Sequence, residues 1–522
     1  MSSSRRSSSS SQSSQAGPSA PLISPHSELI LVQDEEEEDA TRNEAFDFSS
    51  DDDLADDLDT QSERLKASAI PPLSPTLVFL YLLTPFLKLG PMLVPTSDTP
   101  LSHSIPALVV FSLLAAASRQ LLYMLSKYVH KTDLEEVVLD TFARGGGKER
   151  TRQMLRWTMR LGTGTVRVLL ATVYLRQSVD VVLPYIPTKW SFPSRIVLTV
   201  VYALFILPLY LAPSLGARRL VYGTWASLLA YFLWFGAVSF AHAKGALVAN
   251  PDWPHMGALW QGITTIAFIF ATSWTLPLYA ALRGTPQPGS PKRPRRSSFK
   301  VLSVVSVLVA IGLTVPLCIF AASPNVPVSA YPWLCFQIGA DSYKRGMQVI
   351  PEGSHSVLIA VSNAINLLLT IPAILITTPS LPVPLAIRRA TNLPISKAVL
   401  YIITVALSLL PEAASAAFGN ILLVLTLAST YVLPAVIHIT IHNFKRPLAI
   451  VLPTPSGSPN TPRAEGLTGE ALADELLQRK ERTLQRRRLG RRLVWDVLAW
   501  IMAIPIGAGG LAWTIGKLAR KW

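Results

Sequence analysis

Ionisable side chains lie inside several apolar segments of this 522-residue chain. Asp180 and Arg176 are four residues apart, the spacing at which two side chains meet on one face of a helix. Glu412 directly follows Pro411 at the end of another apolar segment. A charge at the centre of a bilayer costs about 3 kcal/mol or more, so such residues mark proton paths, ligand sites or ion pairs. Asp180 and Glu412 are therefore the candidate ion-coupling residues. A structural ion pair is the favoured alternative for Asp180, and an interfacial carboxylate is an equal alternative for Glu412.

Histidine and cysteine contribute little to the predicted chemistry. His438 and His442 have a spacing of four that metal sites use, but the sequence shows no third ligand near them, and an interfacial pair is favoured. The two cysteines, Cys318 and Cys335, cannot form a zinc site and are predicted to be free thiols. The sequence contains no phosphate-binding loop and no serine-hydrolase motif. Neither an enzyme nor an ATP-driven pump is expected, and no metal or cofactor is predicted.

Neutral polar and aromatic residues accompany a proline in the first and sixth apolar segments. Pro85 and Pro277 each lack an N–H, which frees a carbonyl one turn earlier and exposes backbone dipoles that can meet a polar ligand. A proline-kinked helix with ordinary packing is the alternative. The candidate substrate-binding residues around the two prolines are Phe79, Tyr81, Thr84, Thr272, Ser273, Trp274 and Thr275.

Other polar residues in the apolar segments have more ordinary interpretations. Asn363, Asn366 and Thr370 form a stripe at helical spacing. This stripe either joins the site or holds helices together, and the second interpretation is slightly favoured. Lys88 and Arg119 have long side chains that are predicted to extend toward lipid headgroups.

Membrane-spanning helices must position these residues. Hydrophobic residues make up 50% of the chain and charged residues 15%, whereas a soluble domain carries about 25% charge. Apolar runs of about 20 residues have the length that crosses a bilayer, so the predicted fold class is an all-α, polytopic membrane protein. The eleven predicted spans are 76–95, 105–126, 158–185, 195–213, 219–242, 257–282, 300–322, 356–379, 395–412, 416–442 and 494–516.

Basic residues predict the orientation of these spans in the bilayer. With the N-terminus in the cytosol, the inside loops hold 29 Lys and Arg and the outside segments hold 8, as the positive-inside rule requires. Residues 1–70 carry 16 acidic and five basic residues and are predicted to be a disordered cytosolic tail, open to cytosolic regulators. The rest divides into a ten-helix core 71–442, a basic cytosolic loop 443–493, and a last segment 494–522 that holds the eleventh helix and a short tail. Because the basic residues flank apolar spans, nucleic acid is not an expected partner.

Short motifs along the spans resemble the amino acid/auxin permease family, which includes vacuolar amino acid transporters and the system A and N carriers. The segment 267–279 reads AFIFATSWTLPLY and resembles the family's sixth helix, with Thr272-Ser273 where the family has Gly-His or Cys-His. Leu83-Thr84-Pro85-Phe86 resembles the Leu-Pro-Tyr end of its first helix, without the preceding Gly-x-Gly. Further similar segments follow in the family's order at 206–224, 370–389 and 410–435.

The resemblance implies a five-plus-five inverted repeat of the LeuT type in spans one to ten, followed by one extra helix. It implies secondary active transport of amino acids by alternating access, with H⁺ as the expected coupling ion and Na⁺ less favoured. It also implies a vacuolar, lysosomal or plasma membrane location, and it puts Asp180 near an acid of the family's third helix. The missing glycines favour an alternative of another class, a transporter-like sensor or scaffold that signals through its cytosolic tail.

The charge asymmetry makes the topology testable. We expect the loop 284–298 to face the cytosol and the loop 323–355 to face the outside or the lumen. Epitope tags placed in the two loops should differ in protease protection when sealed vesicles of known orientation are digested. Equal protection of both tags would contradict the predicted topology.

Overall fold

The structure is a computed structural model of the chain. It describes residues 73–97, 99–129, 131, 133–143, 148–186, 194–244, 258–271, 275–282, 299–322, 354–379, 395–445 and 493–508. All of these belong to one compact unit, Phe48–Trp522. The predicted tail 1–70, most of the predicted loop 443–493 and Cys335 lie outside the described residues, whereas Cys318 is a buried free thiol, as predicted.

Helices joined by short turns make up the described residues, which contain no β-strand. In chain order the α-helices are α1 Pro75–Leu83, α2 Leu89–Leu93, α3 Leu101–Val129, α4 Leu134–Phe142, α5 Glu149–Val182, α6 Ser194–Tyr210, α7 Arg218–Ala243, α8 Ala258–Ile269, α9 Thr275–Leu282, α10 Phe299–Ala322, α11 Ser354–Leu368, α12 Ile371–Ile376, α13 Ile395–Ser408, α14 Glu412–Leu427, α15 Leu433–Ile439 and α16 Leu493–Pro505. A 3₁₀ segment, Thr84–Leu87, follows α1, and a π-helical turn, Ala428–Val432, joins α14 to α15. The prediction of an all-α chain is confirmed.

Among the described residues, six stretches of helix are long and apolar enough to cross a membrane. They are Pro75–Leu93, Leu101–Val129, Arg218–Ala243, Phe299–Ala322, Val357–Ile376 and Ala417–His442. Large apolar side chains point outward, since Leu113 is 64% exposed, Leu204 63% and Leu229 62%. Hydrocarbon stabilises such a surface and water does not, so the chain is a helical membrane protein. Each of the other predicted spans also contains helix, and the count of eleven crossings stays a prediction.

The long helix α5 runs through the third predicted span without a break, although Arg160, Arg167 and Arg176 interrupt its apolar sequence. Its 34 residues extend about 50 Å at 1.5 Å per residue, against about 30 Å of hydrocarbon. The first turns can therefore extend beyond the apolar zone. There Arg156 and Arg160 bind Glu135 of α4 at 3.1 Å and 2.9 Å. The rest of α5 packs against α11, α13 and α14.

The main apolar core surrounds the interruption between α1 and α2. Phe86 and Phe270 are fully buried, Leu87 is 1% exposed, and Leu367 of α11 is fully buried in the same cluster. Helices α3, α5, α6, α7, α8, α10 and α12 also contribute buried side chains to this core. The interrupted part of the first helix is therefore well buried and is held from several directions.

Close packing at Gly90 of α2 gives a stability prediction. A Cβ at position 90 would lie 2.6 Å from Cγ1 and 3.0 Å from Cα of Ile269, at the end of α8. We expect Gly90→Ala to lower the free energy of unfolding by about 1–3 kcal/mol, because the backbone of α8 cannot move away cheaply. Thermal unfolding of the purified protein in detergent measures this.

Gly312→Ala in α10 is the matched control, because a Cβ there meets no atom within 4 Å. Alanine is the better helix former, so this variant should be neutral or slightly more stable than the parent. Equal destabilisation by the two substitutions would show that the contact between α2 and α8 is not a tight one.

Candidate functional site

The first interruption separates α1 from α2. After α1 ends at Leu83 and the 3₁₀ segment at Leu87, Lys88 adopts φ −107° and ψ −136°, outside the helical region. Pro85 and Pro91 explain the interruption, because neither supplies an N–H to the carbonyl one turn before it. The helix therefore breaks where Pro85 predicted a break.

The second interruption separates α8 from α9. α8 ends at Ile269, residues 270 and 271 are not helical, and α9 is described from Thr275 onward, so Pro277 lies after the interruption. A proline leaves the carbonyl one turn earlier without its helical donor. For Pro277 that carbonyl belongs to Ser273, which lies outside the described residues.

The two interrupted helices contact each other at their breaks. α1 packs against α9 and α2 packs against α8, so each half-helix meets the opposite half of the other. The ring centroids of Phe86 and Phe270 are 5.5 Å apart. Leu73, just before α1, donates its N–H to the carbonyl of Ala281 near the end of α9 at 3.0 Å. This arrangement brings the predicted pair of broken helices together.

Side chains from other helices satisfy the carbonyls that the breaks release. In a regular helix the carbonyl of Leu87 would accept from the N–H of residue 91, but Pro91 has no N–H. This carbonyl accepts instead from Nδ2 of Asn366 at 2.9 Å. The carbonyl of Leu82 accepts from Arg119 at 3.1 Å. The carbonyl of Ala267 accepts from the Tyr431 hydroxyl at 3.5 Å.

Lys88 lies at the centre of a buried polar cluster and does not extend to the headgroups as predicted. Its side chain is 1% exposed. Nζ donates to Oγ of Ser227, to Oδ1 of Asn366 at 2.7 Å and more weakly to the Asn366 carbonyl at 3.5 Å. The prediction was wrong because Lys88, directly before α2, lies between α7 and α11, whose oxygen atoms accept its hydrogen bonds.

A third interruption supplies one of those oxygen atoms. Between α11 and α12 the N–H of Thr370 bonds to the carbonyl of Leu367 at 3.2 Å, so the carbonyl of Asn366 is free for side chains. It accepts from Oγ of Ser227 and from Oγ1 of Thr370, both at 2.9 Å. Asn366 and Thr370 of the polar stripe therefore join the site.

Arg119 of α3 is the second buried cation near the breaks, and its predicted extension to the headgroups is also wrong. It is 2% exposed and donates to Ser306 of α10 at 3.0 Å, besides its bond to Leu82. Its guanidinium lies 4.2 Å from the centre of the Phe86 ring. This cation–π contact places Phe86 between Arg119 and Phe270 and stiffens the side chains at the break.

The predicted substrate-binding residues are only partly collected at the breaks. Tyr81 is buried and donates to the carbonyl of Leu215 at 2.8 Å, and Thr84 donates to the carbonyl of Leu80 at 2.6 Å. Phe79 packs against the apolar core. Thr275, 2% exposed at the start of α9, has a hydroxyl with no hydrogen-bond partner within the described part of the chain. Thr272, Ser273 and Trp274 lie outside the described residues.

The two candidate ion-coupling residues lie elsewhere. Asp180 near the end of α5 bonds to Arg195 of α6 at 2.9 Å and to Arg176 at 3.6 Å. Arg176 also donates to the carbonyl of Leu410 at 2.7 Å. Glu412 is the first residue of α14, and Pro411 precedes it at the N-cap position. Glu412 is therefore not the last residue of the preceding span. Asp180 is thus part of an ion-pair network, the alternative favoured from the sequence.

The histidine pair contacts a residue that the sequence spacing does not indicate. His438 and His442 have ring centroids 4.4 Å apart, and Nε2 of His438 lies 2.9 Å from Oδ1 of Asp496 on α16. Nothing in the sequence near His438 points to a partner 58 residues away. In the part of the chain that the structure describes, no group of three His, Cys, Asp or Glu is arranged to hold a metal ion.

Comparison with known proteins adds no identification: no family model matches the chain, and no curated protein matches it. The class of protein therefore rests on the helices and on the buried site. Both define a helical membrane protein with an interrupted pair of helices around a buried cationic centre.

Asn366 connects Lys88 to the first break, which gives a second stability prediction. We expect Asn366→Leu to lower the free energy of unfolding by about 3 kcal/mol or more, because it leaves the Leu87 carbonyl and the Lys88 ammonium short of partners in a buried place. Thermal unfolding in detergent measures the change.

Asn363→Leu is the control on the same helix. Oδ1 of Asn363 is buried and has no hydrogen-bond partner among the described residues, so removing it should be neutral or stabilising. If Asn363→Leu proved as damaging as Asn366→Leu, the polar stripe would act as general helix glue rather than as part of a specific cluster.

Proposed function

We propose that this chain is a secondary active transporter of amino acids that works by alternating access and is coupled to H⁺. The observation that carries the proposal is the contact between two interrupted helices at their breaks, where the ring centroids of Phe86 and Phe270 are 5.5 Å apart. Interrupted helices at mid-membrane are the usual way in which secondary transporters present backbone dipoles to a substrate.

An amino acid suits such a pair of breaks chemically. Its carboxylate is attracted to the N–H groups at the start of a half-helix, and its ammonium to released carbonyls. α9 begins at Thr275, whose buried hydroxyl is available for a further hydrogen bond. Ser273 and Thr272, which replace the Gly-His of the family that the sequence resembles, precede it directly.

The proposal includes eleven membrane crossings with a five-plus-five inverted repeat. The pairing of α1 with α9 and of α2 with α8 supports it, because two halves of opposite orientation bring their first helices together in this crossed manner. The proposed location is a vacuolar, lysosomal or plasma membrane with the N-terminus in the cytosol, where regulators can bind the acidic tail.

A transport-incompetent sensor or scaffold is the second candidate. The observation that favours it is that Tyr81 and Thr84 already use their hydroxyls inside the protein, and that Lys88 fills the first break. Such a protein would retain the helices of a transporter and signal through its cytosolic tail.

Uptake distinguishes the two candidates. The full chain, reconstituted in liposomes, is given a mixture of the ¹⁴C-labelled protein amino acids with and without a pH gradient. The transporter accumulates label, and more so with the gradient. A correctly inserted protein that neither accumulates nor exchanges label in any condition supports the sensor instead.

Thr275 provides a matched test of the substrate site. Thr275→Val keeps the shape of the side chain and removes a hydroxyl without a partner in the described chain, so stability should not fall. If this hydroxyl bonds to the charged end of the substrate, the apparent affinity for label should fall about tenfold or more.

The control is Thr426→Val in α14, which removes another buried hydroxyl without a partner in the described chain and is not among the predicted substrate-binding residues. Its uptake should equal that of the parent. Unchanged affinity in Thr275→Val would place the substrate away from the start of α9.

A further inference from the structure

Lys88 is a buried ammonium whose partners are all neutral. Its three N–H groups match three acceptors, which are Oγ of Ser227, Oδ1 of Asn366 and the Asn366 carbonyl. No carboxylate among the described residues lies within ion-pair distance of Nζ. The positive charge is therefore dispersed over hydroxyl and amide oxygens and is not cancelled by an opposite charge.

The surroundings of Lys88 contain no acid either. The described parts of 73–129, 194–282, 299–322 and 354–379 include no Asp or Glu. The buried titratable or charged side chains on the described elements packed around this break are Tyr81, Arg119, Tyr123, Tyr231, His242, Tyr279 and Cys318. None of these supplies a negative charge at neutral pH, so a purely structural bridge would be served better by a neutral side chain.

Both protonation states of Lys88 find partners here. Oγ of Ser227 also lies 2.8 Å from Oδ1 of Asn366, 2.9 Å from its carbonyl and 3.3 Å from Oγ1 of Thr370. The Ser227 hydroxyl accepts from the ammonium and can rotate to donate to the lone pair of the amine. The charged state makes more hydrogen bonds, but the neutral amine also keeps partners, so this side chain can release and take back a proton.

We propose that Lys88 carries the coupled proton, an inference that rests on the proposed transport function. In the charged state one Nζ–H bond breaks, its electron pair stays on nitrogen, and the proton passes to water on the side to which the site is open. The neutral amine then takes a proton from water on the other side. Transport thereby moves one proton through Lys88 and not through Asp180, which is bonded to Arg176 and Arg195.

The position of Lys88 connects this proton to helix movement. Its ammonium joins the break between α1 and α2 to Ser227 of α7 and Asn366 of α11, while Asn366 holds the Leu87 carbonyl next to Lys88. Loss of the proton removes one donor and the charge from this junction. The first helix is then held less firmly to α7 and α11, which is what a change of access requires.

The experiment compares the parent, Lys88→Gln, Lys88→Arg and Asp180→Asn as full chains in liposomes. The readout is the ratio of ¹⁴C-amino acid accumulation with a pH gradient to that without, together with proton movement reported by a trapped pH dye. We expect the ratio to fall to one, and the proton movement to be lost, in both Lys88 variants but not in Asp180→Asn. Arginine keeps the charge but does not release its proton, so it should not rescue coupling.

Ser227→Ala tests the same inference if the Lys88 variants do not fold. It removes one acceptor of the ammonium, so the midpoint of the pH dependence of coupled uptake should move to lower pH. An unmoved midpoint would overturn the inference, as would coupling that survives in Lys88→Gln or is restored by arginine. Loss of coupling in Asp180→Asn alone would assign the proton to Asp180. Absence of uptake and exchange in the parent itself would instead refute the proposed function.

Discussion

Released backbone carbonyls must find hydrogen-bond donors inside a membrane, and this requirement organises the centre of the protein. An unsatisfied carbonyl in hydrocarbon costs several kcal/mol, because no water is present to bond it. The carbonyls of Leu82, Leu87 and Ala267 each take a donor from a different helix, so α3, α11 and the turn before α15 are fixed against the breaks. The interruptions are thus the points that determine which helices are neighbours.

The same centre holds two cations by different means. Lys88 is surrounded by hydroxyl and amide oxygens, whereas Arg119 combines two hydrogen bonds with the face of Phe86. Among the described residues no carboxylate lies within ion-pair distance of Lys88. A buried charge without a counter-ion is costly, and proteins keep such groups mainly where they change state or contact a ligand. Lys88 is therefore a stronger functional candidate than the ion pairs on the surrounding helices.

Paired charges lie on the helices around this centre. Asp180 joins α5 to α6 through Arg176 and Arg195, and His438 joins α15 to Asp496 on α16. Each of these contacts joins two described helices that follow each other along the chain, and Asp180 is compensated by two arginines. They stabilise the arrangement of helices around the breaks, and the second break keeps unused hydrogen-bonding capacity at Thr275.

The sequence by itself determined the class of the protein and much of its helical layout. Hydropathy is sufficient for this, because a long apolar run has few stable places other than a bilayer. Pro85 also indicated the first interruption correctly, since a missing N–H acts locally. For Pro277 the residues one turn earlier lie outside the described part of the chain, so its effect stays a prediction. The inverted repeat and the transport function stay predictions.

Only the tertiary structure decided what the polar residues do. A lysine side chain is long enough to reach a headgroup or to turn inward, and local sequence does not distinguish the two. For Lys88 the decision came from Ser227 and Asn366, which are 139 and 278 residues away along the chain. The partner of His438 is Asp496, which is 58 residues away along the chain. Hydrogen-bond geometry depends on atoms within about 3 Å in space, and those neighbours are set by helix packing rather than by residue order.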